Sequence, residues 1–247
     1  MAVQTVFKRY ELKYLLTQAQ KETVLKAMQP YMSLDKNGRT TIRNLYYDTD
    51  TYLLIRRSIE KPAYKEKLRI RSYSQADENS TVFVELKKKY KHVVYKRRIS
   101  LPYTDATAWL SREKHPAEHT QIANEIDYFL DYYGSLHPTV FLSYEREAYY
   151  CNDGNDFRVT FDDNILCRQE ELSLDSEVYG TPILPEGKVL MEIKCSGGIP
   201  LWMTQVLSKE RIYKTSFSKY GTAYGMLIFP QTHSTNSYHM LEVATNA

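Results

Sequence analysis

Long apolar runs are missing from this 247-residue chain. No stretch approaches the roughly 18 consecutive apolar residues that a membrane-spanning helix needs. The opening MAVQTVFKRYELKYLL carries charges where a secretory signal is apolar. The expected setting is the cytoplasm, with any membrane association made through a partner protein. Cysteine is scarce as well. Cys151, Cys167 and Cys195 are odd in number, widely spaced and outside any Cys-x-x-Cys pattern, which excludes a disulfide framework and a structural zinc site. Gly and Pro stand at 9 each, too few for a collagen-like or low-complexity chain. Histidines with metal-ligand spacing are lacking: His115 and His119 are four apart, but Pro116 between them spoils a helical pair. Gly197-Gly198 is followed by no Lys-Ser/Thr, so it reads as a turn and not as a phosphate loop.

What is present is a globular composition, 43% hydrophobic and 26% charged, with 22 Tyr among its aromatics. That aromatic content favours sheet. One domain over residues 1–230 followed by a polar tail, 231–247, is the expected organisation. The net charge of +3 conceals an asymmetry: residues 61–100 hold 12 Lys/Arg against 4 Asp/Glu, and residues 101–190 hold 6 against 17. Such a local excess of base needs bulk solvent or an anionic partner around it.

Helical spacing marks TQAQKETVLKAMQP, with Thr17 as N-cap and Gln20 three residues on. A short helix is expected over 103–114, a third from Pro116 to a C-capping Gly134, and weaker ones over 200–208 and 218–227. Most of the remainder alternates with period two: AYKEKLRIRSY, TVFVELKKKY, VVYKRRISLPY, FRVTFDDNI, VFLSYEREAYY and VLMEIK. Residues two apart on a strand share a face. Leu68 and Ile70 therefore oppose Lys67, Arg69 and Arg71, and Val82, Val84 and Leu86 oppose Phe83, Glu85 and Lys87. Likewise Val159 and Phe161 oppose Arg158, Thr160 and Asp162, while Met191 and Ile193 oppose Glu192 and Lys194. Lys96 pairs in this sense with Arg98, Tyr144 with Arg146, and Glu11 with Lys13.

Two arrangements satisfy that pattern. One is a set of ordinary strands with a solvated charged face. The other is a closed sheet of about eight strands whose interior is charged. An interior of that kind needs an anion to fill it, because desolvated like charges cost several kcal/mol each. A phosphate chain is linear and densely anionic, and Arg presents a planar fork to phosphate oxygens. The interleaved carboxylates suit a hard divalent cation, Mg²⁺ or Mn²⁺. Nucleic acid is not expected, since the Tyr residues are dispersed and not gathered on an outward basic face.

The segments RYELKY, EKLRIRSY, VFVELKKK, YKRRISL, SYEREAYY, FRVTFDDNI, LMEIK and SFSKYGTAYG resemble, in order, the motifs of the VTC domain. That domain belongs to the triphosphate tunnel metalloenzyme (CYTH-like) superfamily. The resemblance implies an α+β, mainly β fold: a closed antiparallel β-barrel, or tunnel, with helices packed outside. It implies metal-dependent phosphoryl transfer from ATP or another triphosphate to a growing inorganic polyphosphate chain, with hydrolysis of tripolyphosphate or a nucleoside triphosphate, or non-catalytic sensing of polyphosphate or nucleotide, as alternatives on the same site. By motif position, Arg69, Arg71, Lys87, Arg146, Arg158 and Lys219 are the implied catalytic set. Lys13, Lys96, Arg98, Tyr144, Lys194 and Ser218 are the implied substrate-binding set, and Glu192, with Glu85 and Glu11 as helpers, the implied metal ligands. Two departures stand out. Arg9 occupies the first acidic position of the superfamily's Glu-x-Glu-x-Lys motif, and Ser216 stands where polymerases of the family carry a Lys before Phe-Ser-Lys.

Overall fold

A computed structural model describes residues 6–231 apart from His92 and His119. All but the first residue of the expected polar tail lies outside them. The elements run β1 (Val6–Thr17), α1 (Gln18–Met28), β2 (Met32–Asp48), α2 (Leu53–Ile59), β3 (Tyr64–Ser72), β4 (Thr81–Tyr90) and β5 (Val93–Pro102). They continue with α3 (Tyr103–Leu110), α4 (Gln121–Tyr133), β6 (His137–Cys151), β7 (Arg158–Arg168), β8 (Thr181–Pro182) and β9 (Lys188–Cys195). The last are α5 (Leu201–Lys209), β10 (Lys214–Thr215) and α6 (Lys219–Ala223), prolonged by a π-helical turn, Tyr224–Ile228.

The strands form one mainly antiparallel sheet, as expected. β1 pairs with β5, β5 with β4, β4 with β3, β3 with β2, β2 with β6, β6 with β7, β7 with β9, and β9 with β1. Eight strands thus succeed one another around an interior. The expectation of a closed barrel is borne out only in part. The β1/β5 seam carries four residue pairs, from Val6↔Arg97 to Arg9↔Val94. Beyond Arg9 the edge of β1 is met by the two-residue β10, so hydrogen bonds do not close the sheet over its full height.

Apolar residues sort to the outer face of this wall and to the helices that cover it. Leu68, Ile70, Val82, Val84 and Leu86 pack under Trp109 and Leu110 of α3 and Ile126, Phe129 and Leu130 of α4. Val159, Phe161, Met191 and Ile193 pack under Val24 and Met28 of α1 and Met203 and Leu207 of α5. Each such side chain contributes about 1.5–3 kcal/mol when buried. Burying the apolar face outward leaves the alternate, charged face no direction but inward. A third cluster does enter the interior. Ile42, Tyr46, Leu142 and Leu190 of the wall pack on Tyr220, Ala223, Tyr224 and Ile228, so the C-terminal helical segment fills one end of the enclosed space.

Local signals hold for α1, where Thr17 and Gln20 form the expected capping box. They miss the start of α4. The cap there is Thr120, whose hydroxyl accepts from Ala123 N, and not Pro116. The 17-residue β2 is absent from the sequence reading altogether.

Candidate functional site: a cation-lined tunnel

The inward faces enclose a cavity of about 2050 Å³. Seventeen Lys and Arg line it against four Asp and Glu. Of the expected residues, Arg69, Arg71, Lys87, Arg146, Arg158, Lys219, Lys13, Lys96, Arg98, Tyr144, Lys194, Ser218, Glu192 and Glu11 all reach its wall. Glu85 does not.

Glu85 is fully buried and acts as a counter-ion node. It stands directly opposite Arg69 on β3 and Arg98 on β5, so strand register alone brings the three together. Arg69 donates from Nε (2.9 Å) and Nη2 (2.7 Å) to Oε2. Arg98 donates from Nε (2.9 Å) and Nη2 (2.5 Å) to Oε1, and Lys96 Nζ lies 2.6 Å from the same oxygen. Against the cost of burial, Arg71, Lys96, Arg69 and Arg98 hold this carboxyl well below the usual range. Glu85, expected as a metal helper, has both oxygens engaged by cations and stands behind the cavity wall that Glu192 and Glu11 reach. The guanidiniums it holds present their remaining donors further in. Arg69 Nη1 reaches Tyr46 OH at 2.9 Å, and Arg71 reaches Asn44 Oδ1 at 3.0 Å and Tyr144 OH at 2.9 Å.

A second node joins Asp162 and Glu192. Arg146 binds Asp162 bidentately, both contacts at 2.6 Å, and Lys219 Nζ donates to Asp162 at 2.5 Å and to Glu192 at 3.1 Å. Lys194, Arg146 and Lys13 lie 2.8, 3.5 and 3.6 Å from Glu192. Burial opposes ionisation of Glu192, but Lys194, Lys219, Lys13 and Arg146 outweigh it and keep the group an anion. Burial similarly works against Glu11, which Lys87, 2.6 Å away, and Lys194 nonetheless hold down to about 2.

Some members of the site escaped the sequence reading. Asp162 shares a face with Arg158 and sits opposite Arg146 in the β6/β7 register, a signal that alternation already contained. Lys67 shares its face with Arg69 and lies between Ser218 Oγ at 3.2 Å and the Tyr220 ring at 5.7 Å. Among the described residues no carboxylate lies within ion-pair distance of it. Burial, then Lys13, Lys87, Lys65 and Arg69, push its pKa well below that of a free lysine.

The two ends of the tunnel differ. The β4/β5 turn end carries Lys61, Lys65, Lys89, Lys91 and Lys214. The opposite end, where β3 passes into β4 and β6 into β7, carries Tyr73, Tyr150, Asp35 and Asn37, with Arg98 and Arg158 just inside.

Among the described residues no group of three or more His, Cys, Asp or Glu converges as a metal cage. Glu192 and Glu11 both face the cavity, and the Glu192 charge works to raise the pKa of Glu11. That donor set does not fit a cation held by protein alone. It does fit one shared with phosphate, since Mg²⁺ is commonly bound through one or two carboxylates plus substrate oxygens.

The family model of the VTC domain matches residues 8–228. The chain belongs to the VTC domain family. Its fold resembles that of a candidate adenylate cyclase from Bacillus halodurans, at 14% identity and a TM-score of 0.55, covering 87% of this chain and 96% of the other. A candidate adenylyl cyclase from Hippeastrum, reported to have a dominant triphosphatase activity, aligns at 16% identity with a TM-score of 0.47, covering 89% and 97%. The Mimivirus capping enzyme triphosphatase aligns at 9% identity and a TM-score of 0.36, covering 83% and 89%. At 14% identity the likeness to the Bacillus halodurans protein speaks for the fold alone. No curated protein matches the VTC domain chain in sequence. Among the described residues no helix of this VTC domain is long and apolar enough to cross a membrane.

Proposed function

We propose that this VTC domain transfers the γ-phosphoryl group of a nucleoside triphosphate, ATP in the first instance, to the end of an inorganic polyphosphate chain threaded in its tunnel. One observation carries the reading: seventeen basic side chains against four acidic ones around a single cavity. That imbalance is unfavourable in an empty protein and is relieved by a polyanion.

Phosphoryl transfer asks little covalent chemistry of the protein, because catalysis rests on in-line positioning and on neutralising charge over the transferring group. Arg69 and Arg71, oriented by Glu85 and Asn44, grip phosphate oxygens with their free donors. Arg146 and Lys219, paired with Asp162 and Glu192, stand ready to exchange those partners for phosphate. Arg158, Lys87 and Lys96 neutralise charge along the chain, and Lys13, Arg98, Tyr144, Lys194 and Ser218 complete the contacts. A terminal oxygen of the polyphosphate forms the new P–O bond as the bond to the β,γ-bridging oxygen breaks, and the nucleoside diphosphate leaves. Glu192, with Glu11 nearby, is the group that would hold Mn²⁺ or Mg²⁺ against the phosphates, where such a cation supplies Lewis-acid polarisation of the phosphoryl oxygens.

Purified protein incubated with ATP and Mn²⁺ or Mg²⁺ should form long anionic polymer visible on a gel, and Glu192→Gln should abolish it. Release of orthophosphate alone would instead identify a hydrolase. Tight, salt-sensitive binding of polyphosphate without turnover would identify a sensor.

A further inference from the structure

Lysines of the tunnel wall are paired with carboxylates, and Lys67 is not. Strand register sets Lys67 directly opposite Lys87, and like charges facing each other across two strands are unfavourable. Lys87 has Glu11 at 2.6 Å, Lys96 has Glu85 at 2.6 Å, and Lys194 and Lys219 have Glu192 at 2.8 and 3.1 Å. Lys67, with no carboxylate in ion-pair distance among the described residues, donates to Ser218 Oγ at 3.2 Å and lies 5.7 Å from the centre of the Tyr220 ring. Burial, and then the charges of Lys13, Lys87, Lys65 and Arg69, make its ammonium form costly and draw its pKa well below the ordinary lysine value. Burial lowers Lys96 and Lys194 too, but each keeps the carboxylate just named, which favours its ammonium. Lys67 is half-buried and lines the cavity, so its nitrogen is open to a small solute.

An unprotonated amine in a cavity that gathers phosphate is a nucleophile beside an anion site. Resting on the reading of that cavity as a phosphate tunnel, we propose that Lys67 is a site of acylation by acyl phosphates, small molecules that join an electrophilic carbonyl to the anionic group the tunnel attracts. Lys67 Nζ attacks the carbonyl carbon, and the bond from that carbon to the bridging oxygen breaks. Orthophosphate leaves with the bonding electron pair, and the nitrogen gives up a proton to water, leaving an amide. The amide carries no charge and projects an acyl group into the tunnel, so acylation lowers the tunnel's hold on phosphate.

The test treats the protein at about pH 7.5 with acetyl phosphate, or with the phosphate-free reagent N-acetoxysuccinimide, and reads acetylation of each lysine by peptide mass spectrometry. Lys26, exposed on α1, is the reference. Both reagents should modify Lys67 at least about tenfold faster than Lys26, since a tenfold loss of proton affinity gives about tenfold more free amine. The preference should narrow toward about pH 10.4, where a free lysine also sheds its proton. Saturating tripolyphosphate should protect Lys67 and leave Lys26 reactive. Acetyl phosphate treatment should weaken tripolyphosphate binding of the parent about tenfold or more, as for loss of one charge-assisted hydrogen bond. Lys67→Arg should keep its own untreated affinity within about twofold. Acetylation led by Lys96 or Lys194, or equal loss of affinity in Lys67→Arg, would overturn the proposal. So would a lack of preference for Lys67 with either reagent, or a preference with N-acetoxysuccinimide alone. Calorimetry of tripolyphosphate on the untreated parent judges the tunnel separately: binding leaves it standing whatever becomes of Lys67, and no binding refutes both.

Discussion

Replacing Glu85 with Gln removes the single negative charge about which Arg69, Arg98, Lys96 and Arg71 are gathered, at distances of 2.7, 2.5, 2.6 and 3.9 Å. The carboxylate is completely buried, so solvent does not screen its contacts. Removing one partner of a buried ion pair typically costs about 3–5 kcal/mol. Here the stranded cations border a cavity and can partly rehydrate, which places the cost near the lower end, about 3 kcal/mol. For a chain of this size each kcal/mol shifts the melting temperature by about 2–4 °C, so a drop of about 6–12 °C is expected at pH 7. The pH dependence supplies a second readout. Because the folded-state pKa of Glu85 is depressed, its stabilisation is fully present above the unfolded value of about 4.3 and is lost as pH falls toward the folded one. The melting difference between parent and variant should therefore narrow below about pH 4. Thermal denaturation followed by circular dichroism measures both. A variant melting within about 2 °C of the parent at pH 7, or a gap unaffected by acid, would refute the assignment of Glu85 as the counter-ion of the arginines.

Lys67 should behave in the opposite sense. Its lowered pKa means that the unfolded chain holds the proton more tightly. The group therefore costs stability below its unfolded value of about 10.4, and the cost fades as pH rises through the window from the folded pKa to that value. Lys67→Met should raise the melting temperature of the unliganded protein at pH 7 and weaken tripolyphosphate binding, both readable from melts with and without ligand. Affinity for tripolyphosphate should also fall steeply between 50 and 500 mM salt, as electrostatic attraction to the cationic ends is screened. A salt-independent affinity in calorimetry would argue against the tunnel as the binding site.

Alternation made most of the wall legible. The run from Lys67 to Arg71 and the run from Val82 to Lys87 declare their two faces, and β3 and β4 fall where the pattern puts them. β2 stayed hidden because its second half, from Ile42 to Asp48, is buried on both faces, outward under the α3/α4 cluster and inward against α6. Burial on both sides erases the polar/apolar period. Its first half is interrupted by Gly38 at φ +61° and by a shift in register between Leu34 and Arg39, which look like a turn in sequence. The seven-residue α2 also went unread, since its N-cap residue, Tyr52, supplies no side-chain cap. The Asp48 carboxylate accepts from Leu54 N and Ile55 N instead, and receives the Tyr220 hydroxyl from the far end of the chain. The face of Glu85 was evident too, but not that two flanking strands, β3 and β5, would surround it with cations.

The order of residues along the chain determined which side chains travel together on each strand, and hence that bases and a few acids share one face. It could not determine where that face points. Charged strands in water and charged strands around a tunnel carry the same period of two, because the period records only the pleat. Tertiary packing decided between them: α1, α3, α4 and α5 cover the apolar faces from outside. The alternate faces must then meet across the interior, where β5, β3 and β9 bring Lys96, Arg69 and Glu192 to one cavity.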